Sequence, residues 1–290
     1  MQFKFPIALT VIAGVSIGAL SPVQAETLAE LAQHTHYHGI AFARSGTATL
    51  LLASHHGVFA LDKDGTATQV SPVQDFMGFS PDPAQAMSYY ASGHPADGGN
   101  SGFLHSADGG ATWQQLSPGV DGPVDFHQMD VSPVDPRVIY GAYRQIQMSR
   151  DGGSTWAVTG IPPRQLIALA ASSVKTERLY AATRNGLFKS EDSGASWKPM
   201  AFDGAPVSTV KTGPGKSLFA FVLGRGLMKT GEDDDGEWHL LSNDFGESIP
   251  LHLAIDGTNE KNIALTTQAN DVLESHDGGK SWQPFGKNAD

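Results

Sequence analysis

Eleven histidines are spread unevenly over the 290 residues. His34, His36 and His38 alternate in His-Thr-His-Tyr-His-Gly, and His55 and His56 are adjacent in Ser-His-His-Gly. His94 follows in Ser-Gly-His-Pro and His127 in Asp-Phe-His-Gln-Met. A spacing of two along a strand turns His34, His36 and His38 to one face. Neutral imidazole is a common ligand for copper, zinc and iron. Asp75 and Asp125 stand in similar contexts, Asp-Phe-Met-Gly-Phe and Asp-Phe-His-Gln-Met, and offer carboxylates as further ligands or as acceptors that orient the rings.

What could bring such scattered residues together is a repeat. Ser106-Ala-Asp-Gly-Gly-Ala-Thr-Trp113 has the pattern S-x-D-x-G-x-[ST]-W, which returns at Ser149–Trp156, Ser190–Trp197 and Ser275–Trp282. A worn copy, Thr230–Trp238, keeps Asp233, Gly236 and Trp238. The tryptophans lie 43, 41, 41 and 44 positions apart. Small oxygen-bearing side chains and glycines make this stretch a tight turn. Trp opens the next strand and is large enough to pack between repeats. Each repeat also carries an apolar strand, a turn and a second strand, as in Met129–Val131, Ser132–Arg137 and Val138–Ala142. Four short strands in about 40 residues make one propeller blade. Six units start near residues 36, 73, 124, 164, 206 and 249, so the reading is an all-β propeller of six four-stranded blades. Seven blades stay open if the termini build another. The first unit has Leu61-Asp-Lys-Asp-Gly65 in place of the turn motif. Thr27–Gln33 reads as a short helical turn.

Laid on one another, the repeats convert sequence into geometry. His38 and His127 share one position, at the start of the innermost strand, and His36 matches Asp125. His55 and His94 share another, at the exit of the second strand. In an up-and-down blade those two places lie at the same end. His36, His38, His55, His56, His94 and His127 should therefore converge on one mouth of the channel, from blades one to three, with Asp75 and Asp125 beside them. Other blades place Asp75, Ile167, Ser208 and Leu251 at the His38 position, and Arg144 and Arg184 at the His55 position. The fold itself does not ask for histidine there. Met77 and Met129 are candidate soft ligands for copper. Their position is elsewhere Ile40, Leu169, Val210 and Leu253, which reads them as core. Copper is the preferred metal, and with His and Asp alone zinc fits equally. His105, His239 and His276 read as surface residues, His252 as facing the neighbouring blade, and His34 as part of a flexible lead-in.

The turn motif resembles the Asp-box, or BNR repeat. The segments HYHG (36–39), HHG (55–57), DFMGF (75–79), SGHP (92–95) and DFH (125–127) resemble a group of exported bacterial Asp-box proteins often named glycosyl hydrolase or sortilin-like. The resemblance implies a propeller and brings two other readings with it. One is a glycoside hydrolase with Asp75 and Asp125 as its carboxylates, since glycosidases use a facing pair. The familiar F-R-I-P segment is absent, and Arg144, Arg164, Arg184 and Arg225 cannot be matched to a Tyr/Glu pair. The other is a non-catalytic assembly or binding scaffold.

Residues 1–25 read as a secretory leader: Lys4, the apolar Ile7–Leu20, and Val23-Gln24-Ala25 as a small-x-small cleavage site. The mature chain is expected to begin near Glu26, in the periplasm or outside the cell, with residues 26–35 as a lead-in and 36–290 as one domain. There are no cysteines, which excludes disulfides and thiolate metal sites. A net charge of −11 argues against nucleic acid as a partner, and no other apolar run is long enough to span a membrane. A metal ion or small ligand at the mouth, or a protein, is the partner expected.

Overall fold

The computed structural model describes residues 25–234 and 237–286. Residues 1–24 of the expected leader and Gly236 of the worn fifth turn lie outside the described residues. Six antiparallel sheets, each of consecutive strands, form the six blades of an all-β propeller. Their innermost strands are Tyr37–Phe42, Asp75–Pro81, Gln128–Val131, Leu166–Ala171, Val207–Gly213 and Pro250–Ile255. Residues from all six border a central channel of about 790 Å³.

The core is divided among the seams between blades. Six apolar clusters occur, each drawn from two neighbouring blades. Between blades one and two, for example, Ala41, Leu51 and Val58 pack against Phe76, Phe79 and Tyr89. Apolar residues on both faces of a strand are what a blade sandwiched between two others requires. Each buried side chain of this size contributes roughly 1.5–3 kcal/mol, well above the ~0–1 kcal/mol of an exposed ion pair such as Arg137–Asp135. The seams, with no disulfide to help, hold the ring.

The recurring turn is what sets the tryptophans into those seams. Gly110 N–H donates to Ser106 Oγ at 2.9 Å, and Thr112 N–H to Asp108 Oδ1 at 2.9 Å. Trp113 Nε1 donates back to Gly110 O at 2.8 Å. The Ser and Asp bonds repeat at Ser149–Asp151, Ser190–Asp192 and Ser275–Asp277. Hydrogen bonds from Thr155 hold the Asp151 carboxyl down to about 2. Trp113, Trp156, Trp197, Trp238 and Trp282 each pack against the cluster shared with the preceding blade. The turns are anchored to the loop between strands one and two of their own blade, as in Gly109 N–H to Met87 O and Gly152 N–H to Arg137 O. They therefore sit at the opposite end of the blade from the start of the innermost strand.

Blade one lacks the turn and its Trp, and other residues fill the space. Ala25–Thr27 adds a fifth, outer strand to it, paired with Thr66–Thr68. A helix, Leu28–Leu31, follows, started by a Thr27 capping box with Glu30. Leu28 and Leu31 then pack with Phe285, Ala254 and Val272 in the seam between blades six and one. Asn270, between strands two and three of blade six, donates from Nδ2 to Ala32 O and Thr35 O at 3.2 and 3.0 Å. Blade one comes wholly from the N-terminal side and blade six wholly from the C-terminal side. Among the described residues the ring is closed by this packing and these bonds, with no strand exchanged.

Blade five carries a further set of buried bonds beside its turn. Buried Glu232 reaches across to blade four and accepts from Ser172 Oγ, Ser173 Oγ, Ser173 N–H (2.9 Å) and Tyr180 Oη (3.1 Å). Buried Arg178 donates to Glu232 O and to Asp233 and Glu191. Among the described residues no helix is long and apolar enough to cross a membrane.

Candidate metal centre

The start of the innermost strand carries a β-bulge in four blades. In blade one the register slips between Tyr37 and Gly39, in blade four between Leu166 and Ala168, in blade five between Val207 and Thr209, and in blade six between Pro250 and His252. The skipped residues are His38, Ile167, Ser208 and Leu251. A bulge frees its extra residue from the ladder and re-aims its side chain. In blade one that residue is His38. Blade two takes its extra residue further along, with a slip between Met77 and Ser80.

Two glycines then let the mouth close up. Gly39 has no room for a side chain, since a Cβ there would lie 2.7 Å from Phe79 Cβ. This contact draws blades one and two together beside His38. Gly93 adopts φ +120°, and a Cβ there would lie 2.2 Å from Asp75 O. It lies opposite Phe76, so Asp75 and His94 become direct cross-strand partners. Ser92 fixes the neighbouring blade: its Oγ donates to Gly102 O at 2.8 Å and accepts from Phe126 N–H at 3.0 Å. That bond seats Asp125 and His127, which lie just before the innermost strand of blade three.

Two groups of three result. In the first, His38 Nε2 lies 3.0 Å from His55 Nε2, and His55 Nδ1 lies 3.2 Å from Asp75 Oδ2. Asp75 Oδ1 is 3.9 Å from His38 Nε2. In the second, Asp125 Oδ2 is met by His127 Nε2 at 2.6 Å and by His94 Nε2 at 3.2 Å. Within each group, one ligand atom from each residue lies within 4.8 Å of the others. Asp75 Oδ1 and Asp125 Oδ1 are buried and have no hydrogen-bond partner. Burial, followed by the nearby His55, His252, His127 and His36, pushes the His38 imidazole down to about 3. The hydrogen bond to Asp125 raises His127 above its ordinary value against the opposing effect of its burial.

His36 and His56 stand outside both groups. His36 Nδ1 is within 3.3 Å of the Asn270 side-chain amide, with its ring 6.1 Å from that of His55. His56 lies nearest His34, at 6.2 Å between rings. Met77 and Met129 are buried at 8% and 6% exposure, and Met129 packs in the seam between blades two and three.

The structure revises the expectations for two other histidines and bears out a third. His34 is tied down, with Nε2 2.8 Å from Glu26 Oε2. His105 is half-buried, stacked on Tyr90 and bonded to Ser88 Oγ at 2.9 Å. His252 faces the neighbouring blade as expected, its ring bonded to the Tyr37 main chain of blade one, and it also borders the channel close to His38.

Two channel residues escaped the sequence reading. Lys211 Nζ lies 2.7 Å from Asp130 Oδ1, linking blades five and three past blade four, and Asp130 Oδ2 accepts from Ala171 N–H at 2.9 Å. Both follow the aligned residues Met129 and Val210, so opposite charges at one repeat position were the available signal. Arg144, Arg164, Arg184 and Arg225 do not border the channel.

No protein-family model and no curated protein matches the chain. Solved structures do. A GH74 enzyme from Niastella koreensis superposes with a TM-score of 0.63 at 16% identity, over 86% of this chain and 45% of its own. The GH74 xyloglucanase of Xanthomonas campestris gives 0.61 at 20% identity, over 91% and 47%. The chain thus spans less than half the length of those enzymes. YCF48 bound to D1 peptide gives 0.55 at 17% identity, over 92% and 88%. Identities this low establish a shared propeller architecture.

Proposed function

We propose that this chain is an exported propeller that binds a transition metal, copper or zinc, through histidines and aspartates at one mouth of its channel. The carrying observation is the convergence of one ring nitrogen each from His38 and His55 with an Asp75 oxygen, all within 4.8 Å of one another. Ligands held at 2.0–2.1 Å on one ion stand roughly 3.0–3.4 Å apart, and the His38–His55 nitrogens are 3.0 Å apart. Imidazole nitrogen with carboxylate oxygen suits both Zn²⁺ and Cu²⁺. Met77 and Met129 are both buried, and Met129 also borders the channel. Three ligands leave open positions for water or an exchanging ligand, which suits an ion that is stored, handed on or used.

The test is calorimetric titration of Zn²⁺ and Cu²⁺ into untagged, chelator-stripped protein. Binding should be seen at pH 7.5 and weaken below about pH 6, as protons compete for imidazole. His38→Ala with His55→Ala should weaken it at least tenfold. No uptake of either ion by the wild-type protein refutes the reading. Metal-independent turnover of a glycoside that is lost in Asp75→Asn would replace it with hydrolysis.

A further inference from the structure

We infer that the mouth holds two separate ions, one at His38–His55–Asp75 and a second at His94–Asp125–His127. This rests on the metal-binding reading and adds the second site and the count. The two groups are related by the repeat. Each uses the histidine at the exit of a blade's second strand, His55 or His94, and the aspartate at the start of the next blade, Asp75 or Asp125. They differ in the third ligand. His38 comes from the same blade as its exit histidine, and His127 comes from the following blade. Blade two serves both sites, giving Asp75 to one and its cross-strand partner His94 to the other.

The hydrogen bonding of the second group points to a cation. His94 Nδ1 lies 2.7 Å from the Gly99 carbonyl. A carbonyl only accepts, so Nδ1 carries a proton, and whenever the ring is neutral Nε2 presents a lone pair. That lone pair faces Asp125 Oδ2 at 3.2 Å, a contact between two acceptors. It becomes attractive when a proton or a metal ion lies between them. A ring whose far nitrogen is bonded to a carbonyl is the usual arrangement of a metal-bound histidine. Asp125 Oδ1 is a second, independent feature: a buried carboxylate oxygen without a hydrogen-bond partner, an acceptor that a cation at this place would satisfy. In the first group Asp75 Oδ1 has the same defect.

The series stops after two for a chemical reason. The next residues at the exit position are Arg144 and Arg184. Guanidinium has no lone pair to give and does not deprotonate in proteins. The ligand set offered twice is two imidazoles and one carboxylate, which takes a borderline divalent ion.

The experiment uses untagged protein loaded with excess Zn²⁺, passed through a desalting column and analysed for zinc per chain. The wild type should retain two. His94→Ala and His55→Ala should each retain one, and the double variant none. Thermal melts of the chelator-stripped variants report whether each still folds; should His94→Ala fail to, His127→Gln serves in its place. One zinc in the wild type overturns the second site and leaves metal binding standing. Two zincs falling to none in His94→Ala overturns separate sites in favour of one shared centre. No zinc in the wild type refutes the reading on which both depend.

Discussion

His252 should make the apo protein lose stability in mild acid. Burial pushes its imidazole down to about 4, and the bond to the Tyr37 main chain only partly opposes this. An ordinary histidine titrates near 6.5. Above about pH 7.5 the ring is neutral in both the folded and unfolded chains and contributes no pH dependence. Below about 6.5 the unfolded chain takes up a proton that the folded chain refuses until about 4. Stability therefore falls as pH drops through that window and levels off beneath it. At pH 5 the full shift corresponds to about 2 kcal/mol. The ring borders the channel and is only partly covered, which reduces the expectation to about 1–2 kcal/mol. For a chain of this size that is roughly 3–6 °C of melting temperature. Thermal melts of wild type and His252→Asn at pH 7.5 and 5.0, in the presence of a chelator, measure it. His38 is shifted in the same direction and His252 is one of the causes, so removing His252 also relaxes His38 and the comparison reads the two together. The variant should lose less on acidification by the stated amount. Equal losses in the two proteins would show that His252 titrates normally, and the argument from its burial would be wrong.

Two further outcomes follow from the geometry. Gly93→Ala places a Cβ 2.2 Å from Asp75 O at a φ of +120°, so it should destabilise the fold by about 1–3 kcal/mol and loosen the Asp75–His94 pairing; a wild-type urea midpoint would contradict this. Glu232→Ala strips an acceptor from Ser172, Ser173 and Tyr180 in a buried seam, and should cost about 2–4 kcal/mol in denaturant melts, far more than removing the exposed Asp135.

The sequence determined the propeller by itself, because its information is periodic. A turn that needs Ser, Asp, Gly and Trp at fixed offsets, recurring every 41–44 residues, announces blades. The alternation of short apolar strands then gives their order and places the strand starts and exits at one mouth. That logic put His38, His55, His94 and His127 at one end and the recurrent turns at the other.

Tertiary structure decided how the histidines are partitioned. A repeat alignment says which residues share a layer and is silent on distances of a few ångströms. The bulge at His38, the close approach at Gly39 and the positive φ of Gly93 set those distances. They divide the layer into two triplets and leave His36 on Asn270 and His56 near His34. Glu232 and the Asp130–Lys211 pair became visible only when distant blades were brought side by side. Such bonds form between residues 50 to 80 positions apart, a separation at which no local pattern in the chain records them.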